Sequence, residues 1–276
     1  MKFKSLMVSF FLLVPVLLFL AWIVFGFEIL SRLCKKLKNP EREVGFNMTL
    51  ADFFLISFLI SMSVLFGSSI GNRVAEVLTE NESEQVFISM GVLHFIVVGA
   101  VFLFLKKSDS KPRLFWEKSA GFLKIALGSA GYFFGLFSLI ALVSLFWNVA
   151  LTLLGVEIEP QEVVEYFRDV DGGMKFFALF SVVLLAPLSE ELVFRGVMYG
   201  GLKKKIGAGF AALIVSVLFA AIHFSLPAFM PIFFLSLLLI AVYEYYGDLR
   251  ASMVVHSLFN SMTSFLMLAE EHLIDV

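Results

Sequence analysis

The stretch Leu184–Gly200, LLAPLSEELVFRGVMYG, sets two adjacent carboxylates, Glu190 and Glu191, and a guanidinium, Arg195, within an otherwise apolar run. The rest of the chain decides what surrounds them. Of its 276 residues 60% are hydrophobic and 34 are Phe, and only 16% are charged. The mean hydropathy is +0.94. Soluble domains are about a quarter charged, and apolar runs of about 18 or more residues read as membrane spans. Several such runs occur, so the chain reads as an all-α, polytopic integral membrane helix bundle with about eight transmembrane helices. Residues 184–200 then fall inside a span. Ionisable residues there are costly and mark function by default.

The eight expected spans cover about 5–27, 50–70, 86–105, 119–150, 174–202, 207–224, 229–246 and 250–269. The N-terminal run is too long for the apolar core of a signal peptide, and no A-x-A-like cleavage site follows it, so it reads as a retained helix. The connections alternate in charge. Residues 31–43 carry Arg32, Lys35, Lys36, Lys38 and Arg42, and 106–118 carry Lys106, Lys107, Lys111, Arg113 and Lys118. Between them, 71–85 holds four glutamates against Arg73, and 155–172 holds six acids and one Arg. Basic loops face the cytoplasm, which puts both termini outside if all eight spans hold. The acidic segment 155–172 reads as a solvated surface helix. The setting is a multi-pass protein of the plasma membrane. The single cysteine, Cys34, excludes an intramolecular disulfide. No basic patch suits nucleic acid.

Three polar clusters lie within the apolar runs. In the opening stretch, Pro187 is expected to break or kink the helix, with Ser189 capping a new one that starts at Glu190. On a regular helix Glu190 and Glu191 point about 100° apart, which predicts that they cannot face one site. Arg195 is four residues from Glu191, at ion-pair spacing. Glu191 and Arg195 then form a structural pair and Glu190 is left to face a cavity. The second cluster is FAAIH, with Phe219 and His223 on one helix face; a lone His there is also what a satisfied core residue looks like. The third is HSLFN, with His256 and Asn260 on one face, which would equally serve as glue between helices. Together they are the parts for attack on a carbonyl. A carboxylate, alone or with an imidazole, takes a proton from water. Imidazole and amide N–H groups stabilise a tetrahedral oxyanion. His94 in the third span and Glu244 near the end of the seventh read as a core histidine and an interfacial carboxylate.

In order and spacing, EELVFRG, FAAIH and HSLFN resemble the motifs of the CAAX protease and bacteriocin-processing (CPBP, or Abi) family of glutamate-dependent intramembrane endopeptidases. The pattern E-E-x-x-x-R, F-x-x-x-H and H-x-x-x-N falls on Glu190, Glu191, Arg195, Phe219, His223, His256 and Asn260. The resemblance covers about residues 180–265. It implies a metal-independent, glutamic-type endopeptidase with no cofactor, acting on membrane-anchored peptides or proteins. It also implies that Glu190 and His223 activate water and that His256 and Asn260 form the oxyanion hole. Glu191, Arg195 and Phe219 would support them. Residues 171–276 would be the catalytic core, and 1–170 N-terminal transmembrane helices with an acidic outer loop, in one membrane domain overall. By helical rise, His223 would lie about 24 Å along its span and His256 about 9 Å along the last, so their meeting requires tilted helices or a deeper start to the sixth span. The alternatives are a zinc-dependent membrane protease, a non-catalytic immunity or scaffold protein of the same fold, and a proton-relaying transporter.

Overall fold

The computed structural model describes residues 49–107, 121–158 and 162–274, together with Val24, Gly26, Glu28 and Ser31. The expected first span lies outside these residues except for Val24 and Gly26, and so do Cys34 and most of the two basic segments. Every element among the described residues is helical. We number them α1 (Leu50–Leu78), α2 (Glu82–Lys107), α3 (Phe122–Leu153), α4 (Glu162–Asp169), α5 (Gly172–Ile206), α6 (Ala208–Ala221), α7 (Leu226–Tyr246) and α8 (Leu249–Ile274).

Among the described residues, five helices are long and apolar enough to cross a membrane: α1, α2, α3, α5 and α7. The protein is an integral, multi-pass membrane helix bundle. Two expected spans differ from this. Helix α6 has 14 residues, about 21 Å at the helical rise, and stops short of a full crossing. Helix α8 is long enough, but His256, Ser257, Asn260 and Ser261 dilute its apolarity, and it is not among the five.

Local chemistry sets the ends. Thr49 caps α1 in a reciprocal capping box with Asp52. The hydrogen bonds from Thr49 hold the Asp52 carboxyl below its usual range. Gly207, at φ 83°, turns α5 into α6 where a side chain would be strained. Gly247 closes α7 in the left-handed region.

Helices α1 and α2 form a close hairpin. A Cβ on Gly71 would lie 2.8 Å from Ser89 O and 2.9 Å from Ser89 Cα. The hairpin packs Ile56, Val97, Val101 and Phe104 into a core shared with Leu192, Val197, Val215 and Phe219. A second core joins α3, α7 and α8 through Phe133, Leu136, Leu239, Val242 and Val255. The acidic segment is not simply a solvated helix. From α4 it buries Phe167 edge-on against Phe87 of α2, and Ser83 donates to Asp169 across the same seam. Glu244, near the end of α7, is more than a surface carboxylate. It is buried, and accepts from Tyr199 Oη at 2.7 Å and Lys203 Nζ at 2.6 Å, tying the end of α7 to α5.

The expected break in α5 is absent. The chain runs as one helix from Gly172 to Ile206, with π-helical segments at Ser181–Leu185 and Leu192–Tyr199. Ser189 lies inside the short α-helical piece Ala186–Glu191 and is no N-cap. In the first π segment the N–H of Ala186 bonds back to Ser181 O, five residues away. The wider turn seats the Pro187 ring without breaking the helix.

Gly71→Ala should destabilise the protein by about 1–3 kcal/mol, because the contact it meets is backbone that cannot rotate away. Gly99→Ala, with nothing within 4 Å of the added atom, should leave the midpoint unchanged or raise it. Thermal unfolding of both variants in one detergent checks this.

Candidate active site

The site is assembled by α5, α6, α7 and α8. From α5, Glu191 and Arg195 form an ion pair at 2.7 Å, both side chains fully buried. Arg195 also donates to Ser236 Oγ of α7 at 2.9 Å, and its guanidinium stacks 4.2 Å over the Phe219 ring of α6. A buried pair holds only where further hydrogen bonds satisfy both partners. Here Ser236 and His256 supply part of them, while Arg195 Nε and Glu191 Oε2 have no hydrogen-bond partner among the described residues.

His256 of α8 stands between the two glutamates. Its Nδ1 is 2.9 Å from Glu191 Oε1, and its Nε2 is 3.7 Å from Glu190 Oε2. The expectation that divergence keeps the two carboxylates from one site is therefore corrected. They do diverge, and they meet opposite edges of a single imidazole. A carboxylate paired with Arg195 can only accept, so His256 carries a hydrogen on Nδ1. Its Nε2 then offers a hydrogen only in the doubly protonated ring. At 3.7 Å the contact with Glu190 is too long for a hydrogen bond. Glu190 Oε2 is buried and has no hydrogen-bond partner among the described residues.

His223 lies just beyond the end of α6, half-buried. Its Nδ1 donates to Phe219 O at 2.7 Å, since a carbonyl only accepts, and this leaves Nε2 with the free lone pair. The rings of His223 and His256 both pack edge-on against Phe219, at 5.1 Å and 5.7 Å between centroids. That resolves the mismatch in depth along their helices. Side chains on a helix lean toward its N-terminus, so His223 reaches back one turn onto Phe219. The short α6 ends where the histidine is needed.

Asn260 Nδ2 donates to Val182 O at 2.8 Å. The reason is on α5. In π register Val182 O would accept from residue 187, but Pro187 has no N–H. The carbonyl is orphaned and the Asn260 amide fills it, keeping one N–H for another acceptor. Sequence reasoning missed this carbonyl, as well as Ser236 and the partner of His94. His94 Nδ1 of α2 lies 2.6 Å from Ser189 Oγ, next to Glu190. An intramembrane histidine was the available signal; its partner, 95 residues away, left no trace in spacing. Among the described residues no group of three or more His, Cys, Asp or Glu is arranged to hold a metal.

Residues 172–262 match the model of the family described as type II CAAX prenyl endopeptidase Rce1-like. This match supports assigning the motif-bearing segment, residues 172–262, to the CPBP family. All seven motif residues lie within the matched segment. A protein of Bacillus subtilis (strain 168), described as "Putative membrane peptidase YdiL", is 28% identical over 133 residues. That covers 48% of this chain and 52% of the relative, so the chain spans about half the length of the curated relative it matches. No solved structure matches. The two adjacent glutamates thus have different surroundings: Glu191 is fully buried against Arg195, and Glu190 Oε2 has no hydrogen bond.

Glu191→Gln leaves the Arg195 cation buried without its counter-charge and should cost about 3–5 kcal/mol. Glu190→Gln breaks no hydrogen bond and should stay within about 1 kcal/mol of wild type. Thermal midpoints in the same lipid–detergent mixture separate the two.

Proposed function

We propose that the chain is a metal-independent intramembrane endopeptidase that hydrolyses peptide bonds of membrane-held substrates with water activated by Glu190 and His223. The observation that carries this is the buried, partnerless Oε2 of Glu190 facing His256, while the neighbouring glutamate is committed to Arg195. Its side chain is 19% exposed, so this intramembrane carboxylate is within reach of water and no hydrogen bond gives it a structural task.

Glu190 takes a proton from a water molecule, and His223 Nε2 accepts a second hydrogen bond from it. The water oxygen adds to the scissile carbonyl carbon. The oxyanion that forms receives the remaining Asn260 N–H, and the His256 Nε2–H when that ring is doubly protonated. Collapse breaks the C–N bond, and the proton held by Glu190 passes to the departing amine. Glu191 fixes the tautomer and orientation of His256. Phe219 holds both imidazoles and the Arg195 guanidinium against one ring. The site lies within helices whose outer faces are apolar, which favours substrates already resident in the bilayer. A plasma-membrane setting is part of the same proposal.

The test uses purified wild type and Glu190→Gln in lipid nanodiscs, against a panel of membrane-anchored peptides that includes a prenylated C-terminal cysteine peptide. Wild type should cleave at least one of them. Glu190→Gln should lose about 100-fold or more, the scale of general-base catalysis, and a zinc chelator should change neither. Cleavage that survives in Glu190→Gln, or that chelator abolishes and zinc restores, would sink the reading. Activity confined to the prenylated peptide would narrow the substrate class to CAAX-type proteins.

A further inference from the structure

We propose that His94, which lies outside the motif-bearing segment, is a positioning residue that holds Glu190 in place through the Ser189 hydroxyl. This rests on the reading of Glu190 given above.

Ser189 Oγ makes two contacts, one to Ala186 O at 3.0 Å and one to His94 Nδ1 at 2.6 Å. A hydroxyl has one hydrogen. The carbonyl cannot donate, so both contacts exist together only if Ser189 donates to Ala186 O and His94 Nδ1–H donates to Ser189. The arrangement specifies one tautomer of His94.

Glu190 sits in a piece of α-helix only six residues long, Ala186–Glu191, with a π segment on either side. Pro187 removes one backbone donor from the same turn. A turn this irregular is poorly fixed by its own ladder. Three ties from other helices hold it, one of them His256 of α8 on Glu191. Asn260 of α8 bonds Val182 O before Pro187, and His94 of α2 bonds Ser189 after it. Ser189 is itself buried and is the residue next to Glu190. The α1–α2 hairpin thereby contributes to a site whose motifs all lie on later helices. Positioning partners of this kind commonly change activity about 10- to 100-fold when removed.

The chain has four histidines, so ring ¹⁵N signals of the protein in nanodiscs can be assigned by single substitution. The His94 signal should report hydrogen on Nδ1, and Ser189→Ala should abolish that preference. The His256 ring, 3.7 Å from Glu190, serves as the reporter of where Glu190 sits. Its signals should move in both His94→Leu and Ser189→Ala. They should stay at wild-type positions in His94→Asn, whose amide nitrogen stands close to where Nδ1 does. On the best-cleaved peptide of the panel, His94→Leu and Ser189→Ala should each lower kcat about 10- to 100-fold with KM within about threefold. The double variant should be no worse than either single, as expected of residues acting through one contact, and His94→Asn should recover most of the rate. A His256 signal unmoved in the first two variants, or full kcat in His94→Leu, overturns the proposal. A wild type that cleaves nothing would remove the endopeptidase reading alone, because the His256 signal reports on Glu190 without turnover.

Discussion

The buried ion pair between Glu191 and Arg195 is what the rest of the site hangs on. A charge taken out of water costs several kcal/mol unless its partner and further hydrogen bonds are in place. Each of those bonds goes to a different helix: Arg195 to Ser236 on α7 and across the face of Phe219 on α6, Glu191 to His256 on α8. Satisfying one guanidinium therefore sets the relative placement of four helices, and the same placement brings both motif imidazoles against Phe219. The charge that is costly to bury thereby sets where the neighbouring Glu190 side chain lies.

Helix α5 shows how an adjacent pair can do two jobs. A regular helix would turn Glu190 and Glu191 to different faces and leave it there. In this chain the imidazole of His256 lies in the angle between them, so divergence becomes two different contacts on one ring. The π segments on either side supply what a regular ladder would not: room for Pro187 and a free carbonyl at Val182. A defect in backbone pairing on one helix becomes the anchor for a side chain on another. π segments often occur at functional sites, and here the reason is traceable to one missing N–H.

Much of this was legible in the sequence, and the limits are physical. The i, i+4 spacings reported what shares a helix face: Glu191 with Arg195, Phe219 with His223, His256 with Asn260. Apolar runs located the seven expected helices that fall among the described residues, five of them long and apolar enough to span. What spacing could not report is contact between helices. The tie between His94 and Ser189, the reach of Arg195 to Ser236 and the seat of Glu244 between Tyr199 and Lys203 join residues tens of positions apart, and no period in the chain encodes them. The irregular helix was also hidden. Proline before a serine and two acids reads locally as a break and a cap, and only packing on both sides shows that the helix continues.

Helix α8 carries the cost of this arrangement. It holds His256 and Asn260 and several hydroxyl residues, and so is too polar to count as a spanning helix by composition. Three of its hydroxyls find acceptors within the helix, which suits an apolar bundle: Ser252 donates to Leu249 O, Ser261 to Ser257 O and Thr263 to Phe259 O. Its Ala251 and Val255 pack into the α3–α7 core, while His256 and Asn260 direct their polar groups outward, to Glu191 and to Val182 O. The helix thus divides its polarity in two. Those three hydroxyls are satisfied internally at little cost, whereas the imidazole and the amide depend on groups of α5. That dependence locks α8 to α5 in one register, which an apolar helix of the same length could not do, because apolar contacts tolerate sliding and a hydrogen bond to a single orphaned carbonyl does not.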